Sequence, residues 1–384
     1  MFVHQYEHGH ELMRQILGHA AFHFRSHRHS SRGPRCDGVR HTSYPVDVSP
    51  RIEYTRPTIW SVGHAEAPEV VTSAWIDEQL AETYERCGIR PGLLATVAGI
   101  VERRWWPEEV TFDEAAAKAG AQALELAGVA PSDVDLLIST SVCKHHLEPS
   151  VACSVHFRLG LGPECVNFDL GNACLGFVNA MQVAAMAIET GQANTVLIVD
   201  GEGSRYTQLA TIERLRQPTA TTMDVFDQFA SLTLGSGGAA MVMGGPREGA
   251  HRYLGGISRA ATKNHDLCVG DLDTMRTDTA ALLENGLALA KDAFDASVEA
   301  GWEWMSCDRY VMHQVSAVHT NRLCELLGVD MNLVPLTYPG FGNMGPAAVP
   351  YTLSTVAADI APGERVLLMG IGSGLNCAAA ELIW

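Results

Sequence analysis

No Cys-x-x-Cys pair occurs among the ten cysteines of this 384-residue chain. Their irregular spacing in so long a chain reads as reduced thiols, not a disulfide framework, and zinc-finger spacing is absent. Cys143, His145 and His146 are the one cluster of metal-ligating types; no second cluster completes a site, so no metal is expected. Long apolar runs are lacking too. None reaches the roughly 18 residues a membrane span requires, and the longest, at 178–188, is rich in Ala and broken by Gln182. It reads as a buried helix, so no integral membrane segment is expected. Positive charge is scarce: 27 Lys and Arg stand against 44 Asp and Glu, a net charge of -17. That argues against nucleic acid, whose phosphates want a basic surface, and against a broadly basic membrane face. A local basic patch for a phosphate-bearing carrier is still compatible. Charged residues make up only 18% and hydrophobic ones 47%, which excludes a disordered chain and allows a large core. The length allows two or three domains, or one large fold with an internal duplication.

Residues 1 to 52 differ in composition from the rest of the chain. Eight of the sixteen histidines fall before position 42, among Arg25, Arg28, Arg32, Arg35 and Arg40. No apolar period is sustained, and His19 and His23 break the one stretch a secretory signal could use. The segment reads as a disordered leader. From Ile59 onward short apolar runs alternate with helical stretches. Residues 134–140 and 195–199 read as buried strands. Between them Phe177, Met181, Ala184, Ala185 and Ile188 have helical spacing, and Gly191 supplies a stop. The alternation predicts an α/β fold with mixed or parallel sheets. A weak repeat is also legible: 135–139 resembles 308–312, 195–199 resembles 365–369, and the Gly-rich turn and strand at 235–243 resemble 372–383. Two copies of one α/β unit, residues 53–250 and 251–384, account for the length. With no Pro/Ser-rich linker between them, they should pack tightly.

Four segments carry candidate chemistry. Asn172-Ala173-Cys174-Leu175-Gly176-Phe177 follows a strand-like stretch and opens the helix. A thiol at a helix N-terminus feels the positive end of the dipole, so its pKa is expected below the free value of about 8.5. Alone, such a cysteine is more often an inert buried residue. In Val311-Met312-His313-Gln314, a histidine ends an apolar strand where the chain turns. Gly340-Phe341-Gly342-Asn343-Met344-Gly345-Pro346 is a loop able to bend closely round a ligand. Gly370-Ile371-Gly372-Ser373-Gly374 follows a strand but is a poor dinucleotide fingerprint, because no helix clearly follows. The order Cys, His, Asn also occurs in papain-like proteases, but no Cys-Gly-Ser-Cys-Trp stretch surrounds Cys174.

Together the four segments, in this order over residues 57 to 384, resemble the thiolase superfamily and its ketosynthase III branch. Within that branch Leu147-Glu148-Pro149-Ser150 and Gly370 to Cys377 add a likeness to the acyl-CoA condensing enzymes of long-chain olefin biosynthesis. Ordinary ketosynthase III enzymes often carry a Trp and an Arg for the CoA adenine where this chain has Leu93 and Val97, which leaves the CoA-binding residues undefined. The resemblance implies a thiolase-like α/β fold of duplicated halves in αβαβα layers. It implies that Cys174 takes an acyl group from one acyl-CoA and that the backbone N–H groups of Cys174 and Ser373 hold the oxyanion. Gly372 and Gly374 bind substrate, and His313 and Asn343 stabilise the enolate of the second acyl-CoA. Glu148, supplied by the neighbouring subunit of a homodimer, removes the α-proton; a carboxylate in an apolar acyl channel is a better base near neutral pH. The implied reaction is non-decarboxylative Claisen condensation of two long-chain acyl-CoAs to a 2-alkyl-3-oxo acid, in the cytoplasm. No cofactor is implied, CoA being part of the substrate; a downstream reductase and other olefin-pathway enzymes are the implied partners. The alternatives are a decarboxylative 3-oxoacyl-ACP synthase III using a malonyl thioester, and a non-catalytic acyl-thioester binding protein.

Overall fold

Residues 134–140 and 195–199 show no polar alternation, so both faces of these strands need cover. The computed structural model, which describes residues 52–384, provides it. Ten strands form one sheet: β1 (Ile52–Glu53), β2 (Thr58–Glu66), β3 (Leu136–Ser139), β4 (Val166–Asp169), β5 (Thr195–Glu202), β6 (Gly237–Gly244), β7 (His251–Ala260), β8 (Arg309–Met312), β9 (Arg365–Gly372) and β10 (Asn376–Ile383). Their order is β8-β9-β10-β7-β2-β6-β5-β3-β4, with β1 on β7. β3 runs parallel to β4 and β5, and β8 parallel to β9; the other pairings are antiparallel.

Counted outward from the β2–β7 junction, the two halves match. β2, β6, β5, β3 on one side correspond to β7, β10, β9, β8 on the other, each with two antiparallel steps and then a parallel one. The repeated sequence segments take equivalent places: β3 with β8, β5 with β9, β6 with β10. β4 has no counterpart and forms an open edge. No gap divides 53–250 from 251–384, because Thr58 and Ile59 of β2 pair with Arg252 and His251 of β7.

The layers follow from alternation along each strand. Leu136 and Ile138 of β3 and Val196 and Ile198 of β5 face helices α3 (Gly176–Glu189) and α6 (Ala348–Val356), which also meet Val366 and Leu368 of β9. The alternate residues Leu137, Leu197 and Val199 face α1 (Phe112–Ala127) and α2 (Val151–Leu159). In the other half, Tyr310, Met312 and Leu367 face α4 (Thr279–Glu299) and α5 (Ala317–Leu327). The result is an αβαβα stack with α3 and α6 in the middle. The C-terminal ends of the parallel strands carry the loops that build the site, as open α/β sheets generally do. Among the described residues no helix is long and apolar enough to cross a membrane. The reading of residues 1 to 52 as a leader lies, Ile52 apart, outside the described residues.

Candidate active site

At these strand ends lies a cavity of about 800 Å³, near the top of the roughly 300–1,000 Å³ range of small-molecule sites. Leu287, Ala290 and Phe294 of α4 and Met275 of a hairpin at 268–277 give it apolar walls. Cys174, His313 and Asn343, from loops 139 and 30 positions apart, all line it, as do Gly372 and Ser373. Gly374 does not; it turns the β9–β10 hairpin at φ 121°. A strand, β10, follows this glycine-rich turn, so the sequence had no helix start to find there.

The cysteine sits in a strained turn. Leu175 N–H donates to Asn172 O at 3.1 Å and Gly176 N–H to Ala173 O at 3.1 Å. Ala173, at φ 45°, takes the left-handed conformation that costs a non-glycine residue roughly 1–2 kcal/mol. β9 presses on this turn from behind: a Cβ on Gly372 would lie 2.7 Å from Asn172 O and 3.1 Å from Leu175 N. Asn172 is held by Asn179 Oδ1 at 2.7 Å and Asn376 Nδ2 at 3.3 Å.

The expectation of a lowered thiol pKa is corrected here. Helix α3 begins at Gly176 with Leu175 as its cap, so Cys174 stands ahead of the dipole. Its side chain reaches the cavity, yet the protein packed round it strips solvent from the sulfur. That burial, with like-charge pressure from Cys268, Glu202 and Asp200, pushes the thiol up to about 12. In the resting protein Cys174 is a neutral thiol.

His313 directly follows β8, and its backbone N–H donates to Met369 O at 2.7 Å. Burial and the neighbouring His319 hold its imidazole down at about 4, against a bond to the Gly345 backbone, so at neutral pH it is uncharged. Gln314 is fully engaged elsewhere: Oε1 accepts from Thr337 N at 2.8 Å and Tyr338 N at 3.1 Å, and Nε2 donates to Pro335 O at 2.8 Å. It anchors the chain that leads to Asn343. Asn343 is pinned through its backbone to Thr233 and Gly235, and its Oδ1 accepts Gly345 N–H at 3.0 Å. With the oxygen occupied, Nδ2 is the free end. The neutral imidazole of His313 and the amide of Asn343 therefore line one cavity.

Glu148 is not with them. It lies on an exposed loop beside the fully exposed Leu147, outside its own chain's cavity. The expected apolar surroundings are thus absent in the single chain, where Glu148 is exposed to solvent. Of the histidine–cysteine cluster, Cys143 turns to the cavity wall while His145 stacks on Phe112 at 4.3 Å.

Three cavity residues went unnoticed in the sequence. His319, in the first turn of α5, bonds Ser316 through Nδ1 at 2.9 Å, and burial holds it down at about 4. Cys268 belongs to the covering hairpin. Glu202 ends the fully buried β5 and is itself 5% exposed. Its Oε1 accepts Val142 N–H at 2.6 Å. Two residues back, Asp200 is completely buried and accepts from the Thr140 hydroxyl. Burial beside Glu202 pushes Asp200 well above the carboxylate range, and burial pushes Glu202 up to about 7. Two acids closing an otherwise apolar strand are a legible signal.

Such a fold, with a cysteine, a histidine and an asparagine meeting at the strand ends, is that of the ketosynthase III branch of the thiolase superfamily. Profiles described as 3-Oxoacyl-[acyl-carrier-protein (ACP)] synthase III and its C-terminal part match residues 168–211 and 298–384. An acyl-CoA:acyl-CoA alkyltransferase of Xanthomonas campestris is 42% identical over 332 residues, 85% of this chain and 98% of that protein. A protein of the same name from Shewanella oneidensis is 32% identical, covering 87% of this chain and 100% of its own. The cerulenin-bound crystal structure of X. campestris OleA superposes with a TM-score of 0.86 at 40% identity, over 87% of this chain and 99% of that one. Other crystal structures of OleA carry replacements at a cysteine, a histidine and a glutamate. The glutamate and cysteine replaced there are 26 positions apart, as are Glu148 and Cys174. The chain belongs to the acyl-CoA:acyl-CoA alkyltransferase, or OleA, family.

Proposed function

We propose that this protein joins two long-chain fatty acyl-CoAs by non-decarboxylative Claisen condensation, through an acyl group on Cys174, to a 2-alkyl-3-oxo acid that enters long-chain olefin biosynthesis. The observation that carries this reading is the large apolar cavity lined together by a thiol, a neutral imidazole and an asparagine amide. Cys174 attacks the first thioester, and the backbone N–H groups of Cys174 and Ser373 hold the oxyanion. His313 and Asn343 then donate to the thioester oxygen of the second acyl-CoA, stabilising the enolate formed at its α-carbon. The enolate attacks the acyl-Cys174 carbonyl, a C–C bond forms and the Cys174 sulfur leaves; hydrolysis of the remaining CoA thioester releases the acid. CoA is substrate here, and no cofactor takes part.

The base for the α-proton is Glu148 of a second chain. β4 is an unpaired edge, and Leu147, Phe157, Val166 and Phe168 stand exposed on it or beside it. Large exposed apolar side chains round an open edge suit a second copy of this chain. A homodimer through this edge carries the Glu148 loop toward the partner's cavity. The nine described cysteines are all free thiols, which suits the cytoplasm. A reductase acting on the 3-oxo group is the expected downstream enzyme.

Incubation with one acyl-CoA, without any malonyl thioester, yields CoA and a 2-alkyl-3-oxo acid by mass spectrometry. Product that appears only with malonyl thioester would overturn the reading in favour of decarboxylative synthesis. Failure of intact protein to gain an acyl mass at Cys174 would instead mark a binding protein. Asn343→Ala lowers the condensation rate roughly 10²–10³-fold, the usual cost of one such donor. Single-turnover acylation of Cys174 changes far less, and comparison of the two rates by quenched-flow mass spectrometry separates the steps.

A further inference from the structure

Glu148 rides on a loop with little backbone support of its own. Between β3 and α2, no backbone–backbone hydrogen bond among the described residues involves 141–149. A general base must stand within hydrogen-bond reach of the proton it takes, so side chains have to fix where this loop stands. At its entry Val142 N–H is held by Glu202 Oε1 at 2.6 Å, and Cys143 Sγ reaches Gly203 O at 3.4 Å. The span that carries Glu148 runs on from Lys144 to Val151, and one side chain receives both of its ends.

That side chain is Asp169, the last residue of β4. Its Oδ2 accepts from Lys144 Nζ at 2.7 Å and from Val151 N–H at 3.1 Å, and its Oδ1 accepts Ala152 N–H at 2.9 Å. Glu148 stands between these tethers, past Lys144 and ahead of Val151. The carboxylate keeps only 13% of its side-chain surface exposed, so its bonds are both charge-assisted and sheltered. Asp169 does not line the cavity. It acts on the loop and meets no substrate there.

We infer that Asp169 is the positioning residue of Glu148: it closes the 144–151 loop on one carboxylate and so fixes where the base stands when the second acyl-CoA arrives. This assignment rests on the proposed condensation with Glu148 as its base. Asp169 exchanges no proton, and acylation of Cys174 does not depend on it. The rival role is local, because β4 runs on from Asp169 into the turn of its own Cys174. That turn is held by Asn179, Asn376 and Gly372, and the three bonds of the Asp169 carboxylate all go to the Glu148 loop and α2. The two roles give opposite results in mixed dimers, because in the proposed homodimer the base serves the other chain's cysteine.

Asp169→Asn keeps the shape, removes the charge that holds Lys144 and turns an amide N–H₂ against at least one of the other donors. Quenched-flow mass spectrometry reads both steps. Acylation of Cys174 stays within about twofold of the native rate, while condensation falls roughly 10–10²-fold, the cost of a reacting group displaced by about an ångström. Lys144→Met removes one tether and leaves α2 capped; condensation falls less, and Lys144→Arg, which keeps the ion pair, recovers it. After chain exchange, Asp169→Asn mixed with Cys174→Ala regains condensation, because the intact cysteine meets a Glu148 held by an intact Asp169. Mixed with Glu148→Gln it does not, because the one remaining Glu148 sits on the untethered loop. The assignment is overturned by an Asp169→Asn that condenses at the native rate, loses acylation as much as condensation, or is rescued by Glu148→Gln. It is equally overturned if Cys174→Ala fails to rescue Asp169→Asn while complementing Glu148→Gln. Should Asp169→Asn not fold, the same mixes with Lys144→Met decide. Failure of Cys174→Ala and Glu148→Gln to complement each other sinks only the exchange of Glu148 between chains, and the split between the two steps then decides for Asp169. Wild-type protein that makes no product without malonyl thioester sinks the proposed function and takes this assignment with it.

Discussion

Cys174→Ala loses condensation on the order of 10⁴-fold or more and gains no acyl mass with any acyl-CoA, while still binding the substrate. Removal of a nucleophile that forms a covalent intermediate costs effects of this size. The variant should fold normally. The native thiol is already neutral in its surroundings, so its loss leaves no uncompensated charge. The turn around it is held by Asn172, Asn179, Asn376 and Gly372 and not by the sulfur. Acyl-CoA binding by calorimetry and adduct mass together check the result. An acyl adduct that persists in Cys174→Ala would move the nucleophile elsewhere, with Cys143 and Cys268, also on the cavity wall, as the places to look.

Glu148→Gln separates the half-reactions in the other direction. Acylation of Cys174 proceeds at the native rate, and condensation falls roughly 10²–10⁴-fold, the usual contribution of a positioned general base. The exposure of Glu148 in the single chain adds a sharper test. Mixed after exchange of chains, Cys174→Ala and Glu148→Gln should recover activity that neither has alone. In a hybrid dimer the intact Cys174 of one chain meets the intact Glu148 of the other. Normal condensation by Glu148→Gln would remove the residue from the mechanism. A slow variant that no mixing rescues would place it in its own chain's site.

The parts of this architecture that were legible in the sequence are those set by local pattern. The uninterrupted apolar stretches at 134–140 and 195–199 became β3 and β5, and the repeated segments became strands in equivalent places of the two halves. His313 at a strand end and Asn343 in a glycine-rich turn could be read because each position depends on its neighbours in the chain. The ionisation of Cys174 could not. Its local context argued for a helix terminus, but the helix starts two residues later. The burial that decides the matter comes from residues near 268, 313 and 370, far away in sequence. Glu202 was missed although two acids closing an apolar strand are a legible signal; what the sequence could not show is that this strand end reaches a cavity whose other walls are far away in the chain. Glu148 lies further still: in the proposed homodimer its surroundings belong to a surface that one chain does not contain.

The open edge at β4 carries a consequence for how the chain comes to maturity in the cell. With Val166 and Phe168 turned outward on an unpaired strand, a newly folded monomer presents a template that many strands could extend. In the proposed homodimer correct pairing is a second-order event, so it slows as chains become scarce, while competing self-association through the same edge grows at high expression. The shortness of β4, four residues, limits the hydrogen bonds available to an incorrect partner. In that proposed pairing this strand bears on assembly kinetics as well as on stability. Its outward side chains must be apolar enough to find their mate and too few to hold a stranger.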